Sequence, residues 1–232
     1  MKNRGFTLVE MAIVLVIVGL LIGGLVTPLS VQLEQRRVAD TQRAMEEARD
    51  ALMGFAVRNG YLPCPAISAA NGLEDRDGAR CTNERRIGFL PWATLGLSKL
   101  DSWNHLYLYS VTPAFSDSST LFRLNTPRDI TIASRDALGN LVSASAANDI
   151  PAVILSHGRN GYGGYSDVGV RVADAGSGNL DEKSNMSPAG RAYITRTATD
   201  NVAAPGGSYD DIVVWLSPNI LYNRMLAAQR LP

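Results

Sequence analysis

Two residues near the N-terminus, Phe6 and Glu10, are spaced so that they could form an ion pair once the chain is cut. Cleavage after Gly5 would leave a free α-amine on Phe6, one helical turn from the Glu10 carboxylate. Between two such helices staggered along an axis, the amine of one chain could meet Glu10 of the next and neutralise both charges in apolar surroundings. The spacing therefore favours repeated, staggered association of the chain.

The element that must position these groups is an apolar run over residues 6–29, in which Glu10 is the only charged side chain. A helix over this run would be about 36 Å long, enough to cross a hydrocarbon core of ~30 Å. Lys2 and Arg4 stand directly before it, and basic residues remain preferentially on the cytoplasmic side. The pattern predicts a single-pass membrane helix with the C-terminal part of the chain outside the cytoplasm.

The first ten residues resemble the class III signal of type IV pilins and of type II secretion pseudopilins: Lys2-Asn3-Arg4-Gly5, then Phe6-Thr7-Leu8-Val9-Glu10. The resemblance implies cleavage between Gly5 and Phe6 by the prepilin peptidase, N-methylation of Phe6, and Glu10 as the assembly carboxylate. It implies as partners other pilin or pseudopilin subunits, an inner-membrane assembly platform and membrane lipid. A secretory signal peptide and a plain membrane anchor are the alternatives, but residues 23–28 lack the A-x-A spacing of a signal-peptide cleavage site.

The charge balance does not indicate a nucleic-acid partner. The 232-residue chain carries 22 basic and 22 acidic side chains, and loss of Lys2 and Arg4 with the leader would make it slightly acidic. Nucleic-acid-binding domains are normally strongly basic. Four cations of the domain could form a small basic patch, for which a solvated surface is the simpler interpretation: Arg80, Arg85, Arg86 and Lys99.

Cys64 and Cys81 are the two cysteines of the chain. In a domain outside the cytoplasm, a disulfide between them is the expected state, and two free thiols are the alternative. A zinc site is disfavoured because His105 and His157 are far away in sequence and two cysteines supply only half of a tetrahedral site.

The periodicity of the chain predicts four segments. Residues 1–5 are the leader, 6–29 the membrane and assembly half of a long helix, 30–59 its amphipathic half, and 60–232 a periplasmic globular domain. Apolar residues recur at spacings of three and four in the third segment, which indicates a helix with one buried face. Asn59-Gly60 is a typical C-terminal stop for that helix.

Six short β-rich runs in the globular domain are separated by Gly, Asn, Asp or Pro, with no helical pattern between them. They cover residues 106–111, 121–124, 129–132, 152–156, 192–195 and 212–216. We expect an antiparallel sheet with the long helix on one face, a pilin-like α+β fold. The pattern of residues 87–97 indicates a turn-rich return of the chain across the core. Ser217-Pro218 predicts the start of a short terminal helix.

A glycine-rich stretch over residues 157–167, followed later by Asp210-Asp211, is the second place where chemistry is expected. Glycines let backbone carbonyls turn inward and carboxylates add charge, which suits the oxygen shell of Ca²⁺. The stretch resembles the calcium-binding C-terminal loop of the major type II secretion pseudopilins, and residues 101–109 resemble their Asp-Pro-Trp-Gly-Asn segment and tyrosine strand. The resemblance implies calcium as a cofactor, with these candidate ligands: Asn160, Asp167, Asp210 and Asp211.

This stretch departs from the family pattern in two ways. Asn160 stands where the pattern has an aspartate, and an insertion over residues 168–209 separates the stretch from Asp210-Asp211. A tight loop held by hydrogen bonds, without a metal, is the alternative interpretation.

Catalysis finds little support in the sequence. Ser156, His157 and Asp167 could be imagined as a hydrolase set, but no Gly-x-Ser-x-Gly elbow is present and adjacent side chains of a strand point to opposite faces. We therefore expect a filament subunit rather than an enzyme. The alternative from another class is a membrane-anchored periplasmic domain that binds a ligand through its glycine-rich loop and never polymerises.

Overall fold

The computed structural model describes residues 7–187 and 189–231, with the side chains of residues 21–28 outside that description. The predicted processing site at Gly5 and Phe6 lies outside the described residues. The chain divides into two units, Met1–Asp40 and Thr41–Pro232. Within the part of the chain that is described, no helix combines the length and apolar character needed to cross a membrane.

Helix α1 covers Leu8–Asn59 and ends where the sequence predicts. Gly60 follows it with φ of 84°, and its N–H donates to the Ala56 carbonyl at 2.7 Å. Glycine adopts this left-handed conformation without a Cβ penalty, which is why it ends helices so often. The predicted stop at Asn59-Gly60 is confirmed.

The second unit is built on an antiparallel sheet of four strands in the order β3-β4-β7-β9. Side chains alternate between its two faces, so Tyr109 and Ile154 enter one core while Leu108 and Leu155 enter another. Residues 41–59 of α1 and the terminal helix α5 supply the first core, with Met45, Leu52, Leu221 and Met225. The strands are β3 (Ile87–Phe89), β4 (Leu108–Val111), β7 (Ala152–Ser156) and β9 (Ile212–Trp215), and α5 is Pro218–Ala227.

A three-stranded sheet in the order β6-β5-β8 supplies the second core with Ile132 and Tyr193. Its strands are β5 (Thr131–Arg135), β6 (Leu141–Ser143) and β8 (Ala192–Ile194). The smaller elements are β1 (Arg76–Asp77), β2 (Arg80–Cys81), a 3₁₀ turn (Thr82–Glu84), α2 (Trp92–Leu95), α3 (Pro113–Ser116) and α4 (Leu180–Asn185). The second unit is therefore α+β, with helices on one face of the main sheet and a smaller sheet on the other.

Three details of the predicted sheet are wrong. Strands β5 and β8 pair in parallel, because the long connection between them, which contains β7 and α4, allows the chain to cross over. The run at residues 121–124 forms no strand. Phe122 is its only buried residue, and the Phe122 ring stacks on the Phe115 ring with the centroids 4.7 Å apart. Ile87–Phe89, predicted as part of a turn-rich return, is instead strand β3 of the main sheet.

The Cys64–Cys81 disulfide is present, with the two Cα atoms 5.3 Å apart. Both cysteines are buried, and neither remains as a free thiol. The bridge ties the segment after Gly60 to β2, a region that contains only the short β1–β2 hairpin. The alternative of two free thiols is excluded.

Candidate functional site

The first candidate site is the start of α1, where Thr7 and Glu10 form a capping box. The Glu10 Oε2 atom accepts hydrogen bonds from the Thr7 N–H and the Thr7 hydroxyl, both at 2.8 Å. In return, the Glu10 N–H donates to the Thr7 hydroxyl at 3.3 Å. A threonine three residues before a glutamate at a helix start is the sequence signature of this cap. The predicted assembly carboxylate is thus an exposed, oriented group at the helix N-terminus.

The second candidate site is an acidic cluster in which Glu182, Asp210 and Asp211 each bring a carboxylate oxygen within 4.8 Å of the others. Glu182 lies on α4, while Asp210 and Asp211 directly precede β9. Among the described residues, no histidine or cysteine belongs to the cluster. The fold therefore brings together one acid from the insertion over residues 168–209 and the two adjacent acids that the sequence indicated.

Helix α4 fixes Glu182 through its own N-cap. Asn179 is the N-cap residue, and its Nδ2 donates to Glu182 Oε2 at 2.6 Å. One turn later, the Asn185 amide donates to Asp211 Oδ2 at 2.8 Å. Residues three apart on a helix share a face, so α4 presents Glu182 and Asn185 together to the end of β9.

Asn160, the first candidate ligand, lies beside the cluster as a hydrogen-bond donor. Its side-chain amide donates to Glu182 Oε1 at 2.8 Å, and its backbone N–H donates to Asp210 Oδ2 at 2.9 Å. The Asn160 Oδ1 atom instead accepts from the Tyr162 N–H at 2.9 Å. Gly158 makes this turn possible, because it has φ of 59° and a Cβ there would lie 2.3 Å from the Asp210 carbonyl oxygen.

Asp167, another of the four candidate ligands, is exposed and is not a member of the cluster. Glu182 was missed, because the insertion was read as a feature that displaces the site rather than one that contributes to it. The signal that could have found it is the Asn-x-x-Glu spacing of residues 179–182, which marks a helix start.

The electrostatics of the cluster are those of carboxylates buried together. Burial, with Glu182 and Asp211 nearby, raises the pKa of Asp210 to about 7. Burial and the neighbouring Asp211 also raise the pKa of Glu182. The Oδ1 atoms of Asp210 and Asp211 are buried and accept no hydrogen bond from any described residue. Buried charges are normally paired or bound to metal, so this arrangement is open to a cation.

His157 is the buried neighbour of this cluster. Its side chain is fully buried, and its Nδ1 lies 3.5 Å from Asp211 Oδ1. Neither ring nitrogen has a hydrogen-bond partner among residues 7–187 and 189–231. The imagined hydrolase set does not form: the Ser156 hydroxyl donates to Asp101 Oδ2 at 2.6 Å, and Asp167 is exposed.

Three of the four cations considered for a basic patch have local contacts. Arg86 holds Asp129 with two hydrogen bonds of 2.6 and 2.8 Å. Arg80 donates to Asp117 at 3.2 Å, and the Lys99 ammonium lies 5.6 Å from the ring centre of Trp92. These cations therefore stabilise their own neighbourhoods within the domain.

The comparisons with known proteins bear on the first candidate site. Residues 1–26 match the family model described as the prokaryotic N-terminal methylation motif. This segment is the class III signal of type IV pilins and pseudopilins, and it indicates a precursor of that structural, generally non-enzymatic kind. The matched segment is only about the first ninth of the chain. No curated protein and no solved structure matches the chain significantly.

Proposed function

We propose that this protein is the precursor of a filament subunit, of the type IV pilus kind or of the type II secretion pseudopilus kind. The prepilin peptidase cuts between Gly5 and Phe6, Phe6 is N-methylated, and the mature chain assembles with other subunits through its N-terminal helix. The match of residues 1–26 to the methylation motif is the observation that carries this proposal.

The capping box at Thr7 and Glu10 supports the role proposed for Glu10. Cleavage after Gly5 places the new α-amine on the residue before Thr7, at the end of the helix where the Glu10 carboxylate lies. Both hydrogen bonds from Thr7 go to Oε2. Glu10 Oε1 has no hydrogen bond from the described residues and is the atom that an amine of a neighbouring subunit would meet.

The apolar run of residues 6–29 supports insertion in the inner membrane, with residues 60–232 in the periplasm. Lys2 and Arg4 before the run favour a cytoplasmic N-terminus. The first turns expose large apolar side chains, with Leu8 92% and Leu15 68% exposed. Such a surface requires lipid before assembly and neighbouring helices after it.

Two measurements test the proposal. Mass spectrometry of the mature protein should find methylated Phe6 at its N-terminus, and a protein that starts at any other residue would contradict the proposal. Glu10→Val should be processed normally but should yield about tenfold fewer filaments or more, because the charge partner is lost. Since Glu10 also caps α1, Thr7→Val is the matched control: it removes the hydroxyl contacts, keeps the carboxylate, and should assemble within about twofold of the parent.

The rival function, a membrane-anchored binding domain that never polymerises, makes the opposite prediction. Its Glu10→Val variant would behave like the parent in every assembly assay, and its N-terminus would carry no methyl group.

We further propose that the acidic cluster holds a divalent cation, with calcium as the expected ion. Glu182, Asp210 and Asp211 would supply the oxygens, and a hard cation suits an all-carboxylate donor set. The two buried carboxylate oxygens without a hydrogen bond support this fit. Bound there, the cation would neutralise the acids and join α4 to β9.

Thermal unfolding of the full chain in detergent tests the cation site. At pH 7.5, calcium should raise the Tm by several degrees over a chelator, as expected for a ligand that binds the folded state only. Asp211→Asn should abolish the calcium-dependent shift. The matched control Asp77→Asn changes an exposed acid outside the cluster and should keep the shift. An equal Tm of the parent protein with and without calcium would contradict the site but would leave the filament proposal untouched.

A further inference from the structure

The hairpin between β5 and β6 presents apolar side chains to solvent from a well-formed turn. Leu138 at its tip is 85% exposed, and Leu141 and Val142 on the edge strand β6 are 56% and 42% exposed. The Asp136 carboxylate accepts from the backbone N–H groups of Leu138 and Asn140, both at 2.9 Å. The turn is thus ordered by its own hydrogen bonds while its leucine contacts little of its own chain. An exposed apolar edge strand of this kind can pair or pack with another chain.

The base of this hairpin is anchored to its own domain. Arg135 donates to both carboxylate oxygens of the buried Asp181, at 2.8 and 2.7 Å. A Cβ at Gly139 would lie 2.5 Å from Pro205, so the turn is in close contact with that residue. These contacts hold the hairpin in place and leave Leu138 directed away from the domain, so little conformational entropy remains to be lost on binding.

A cleft of about 650 Å³ elsewhere on the second unit has the complementary chemistry. Its lining includes Phe89, Leu108 and Tyr165, and its rim exposes Ile67 and Val168 at 50% and 72%. No acidic residue lines it, whereas two arginines do. Arg171 pairs with Asp174, while Arg85 is exposed and has no ion-pair partner in the described part of the chain. The cleft is therefore apolar inside and positively charged at its edge.

We propose that the β5–β6 hairpin of one subunit docks in this cleft of a second copy of the same chain. Leu138 enters the apolar interior, and the Asp136 carboxylate faces Arg85. The two surfaces are different parts of one chain, so the contact is heterologous, and such contacts propagate into open assemblies unless the rotation closes a ring. The proposal goes beyond the filament function, because assembly through the N-terminal helices does not require contact between the globular domains.

Cysteine cross-linking of the full-length protein tests this contact. Both native cysteines are in a disulfide, so an introduced cysteine is the only free thiol. Leu138→Cys and Val168→Cys copies, co-expressed in one membrane and mildly oxidised, should give a covalent dimer on non-reducing gels. The matched control replaces Leu138→Cys by Val202→Cys, whose parent residue is 80% exposed but lies outside the hairpin. The hairpin pair should exceed the control at least about fivefold, since specific docking raises effective concentration.

Charge reversal at the rim provides a second test. Arg85→Glu should lower the yield of the hairpin-to-cleft dimer at least about threefold, because it places like charges opposite each other. Arg123→Glu makes the same change at an exposed position outside the cleft and should have no effect. Each variant should first be shown to have the same Tm as the parent protein.

The outcomes separate this contact from helix-driven assembly. Dimer yields that equal the control, or dimers that form only between two Leu138→Cys copies, would overturn the docking. The same measurement in a Glu10→Val background should retain the dimer while filaments are lost. Filaments that persist in that background, with the dimer present, would overturn the role of Glu10 and leave the docking contact standing.

Discussion

The same helix-start pattern occurs twice in this chain, in opposite surroundings. Thr7-x-x-Glu10 opens α1 in the first unit, and Asn179-x-x-Glu182 opens α4 in the second. Glu10 is exposed and receives hydrogen bonds from Thr7 alone among the described residues. Glu182 is fully buried and receives hydrogen bonds from Asn179, Asn160 and the Asp210 N–H. One glutamate caps a helix end; the other also fixes the ends of two distant segments.

The comparison shows that residue spacing sets the orientation of each carboxylate at its helix start but does not set which other groups it contacts. At either position, a glutamate three residues into a helix orients its carboxylate towards the N-cap. What the carboxylate does beyond the cap depends on what the rest of the fold, or another subunit, brings to it. For Glu182 the partners come from the same chain, whereas we propose that for Glu10 the partner is the amine of a neighbouring subunit.

The largest expected effect tests the structural role of the buried Glu182 against that of an exposed glutamate. Glu182→Ala should lower the free energy of unfolding of the second unit by about 3 kcal/mol, because it leaves the buried Asn179 donor and the partly buried donors of Asn160 and Asp210 without an acceptor. Denaturant titration of the full chain measures this. Glu84→Ala is the matched control: the Glu84 side chain is 77% exposed in an ion pair with Arg80, and its loss should cost less than about 0.5 kcal/mol. Similar losses from both variants would remove the contrast.

The pH dependence of stability should come from the acidic cluster that contains Glu182. The folded-state pKa of Asp210 is raised to about 7, above the unfolded value of about 3.9. The folded state therefore keeps a proton that the unfolded state releases. The contribution of protonated Asp210 to the free energy of unfolding is fully present below about pH 4 and is lost as the pH rises through about 7. In chelator we expect stability to fall by on the order of 2 kcal/mol between pH 5 and 7.5.

Calcium should reverse this loss at pH 7.5 and have little effect at pH 5, where protons compete for the same oxygens. Stability measured at both pH values, with calcium and with chelator, gives the four quantities needed. A loss of the same size in Asp210→Asn would show that other groups cause the pH dependence.

Substitution of Asn160 sharpens the contrast by making the buried site more acidic. Asn160→Asp removes the donor to Glu182 and adds a fourth carboxylate, so it should cost about 1 to 2 kcal/mol in chelator. With calcium it should bind the ion about fivefold more tightly or better, because affinity rises with ligand charge. Calorimetric titration measures the affinity. Asn125→Asp, at an exposed position outside the cluster, should change neither quantity.

The smallest effect is expected at the exposed cap. Thr7→Ala removes the hydroxyl that accepts from Glu10 and donates to it, which should cost about 1 kcal/mol of local helix stability. Hydrogen exchange should then be faster at the first-turn amides, with amides from residue 15 onward as the internal reference. Unfolding of the second unit should not change. A change in its stability comparable to that from Glu182→Ala would contradict the local role of this cap.

Much of the second unit was predictable because its patterns are local. The buried run of residues 152–156 is strand β7 as expected, and the stop of α1 at Gly60 follows from the conformational freedom of glycine. The disulfide followed from compartment and cysteine number. The run at residues 121–124 was misread because short apolar runs do not reveal whether a partner strand is available. Parallel pairing of β5 with β8 depends on a crossover that no local pattern encodes.

The acidic cluster shows where prediction from the sequence stopped. Asn160, Asp210 and Asp211 were named as candidate ligands because their segments resemble the calcium-binding loop of the major type II secretion pseudopilins. Glu182 was not found, because it reaches the cluster only through the position of α4. Asp167 has the right chemistry but is exposed outside the cluster.

The N-terminal methylation motif could be recognised without a structure, because it is a contiguous stretch whose charge order and apolarity are properties of the chain alone. The same holds for α1, α5 and three strands of the main sheet, β4, β7 and β9, whose residue patterns are local. The structure was needed to learn which acids lie together and that a buried histidine lies beside them. It was also needed to place an exposed hairpin and an apolar cleft on different surfaces of one domain. Burial and proximity between residues far apart in the chain depend on packing.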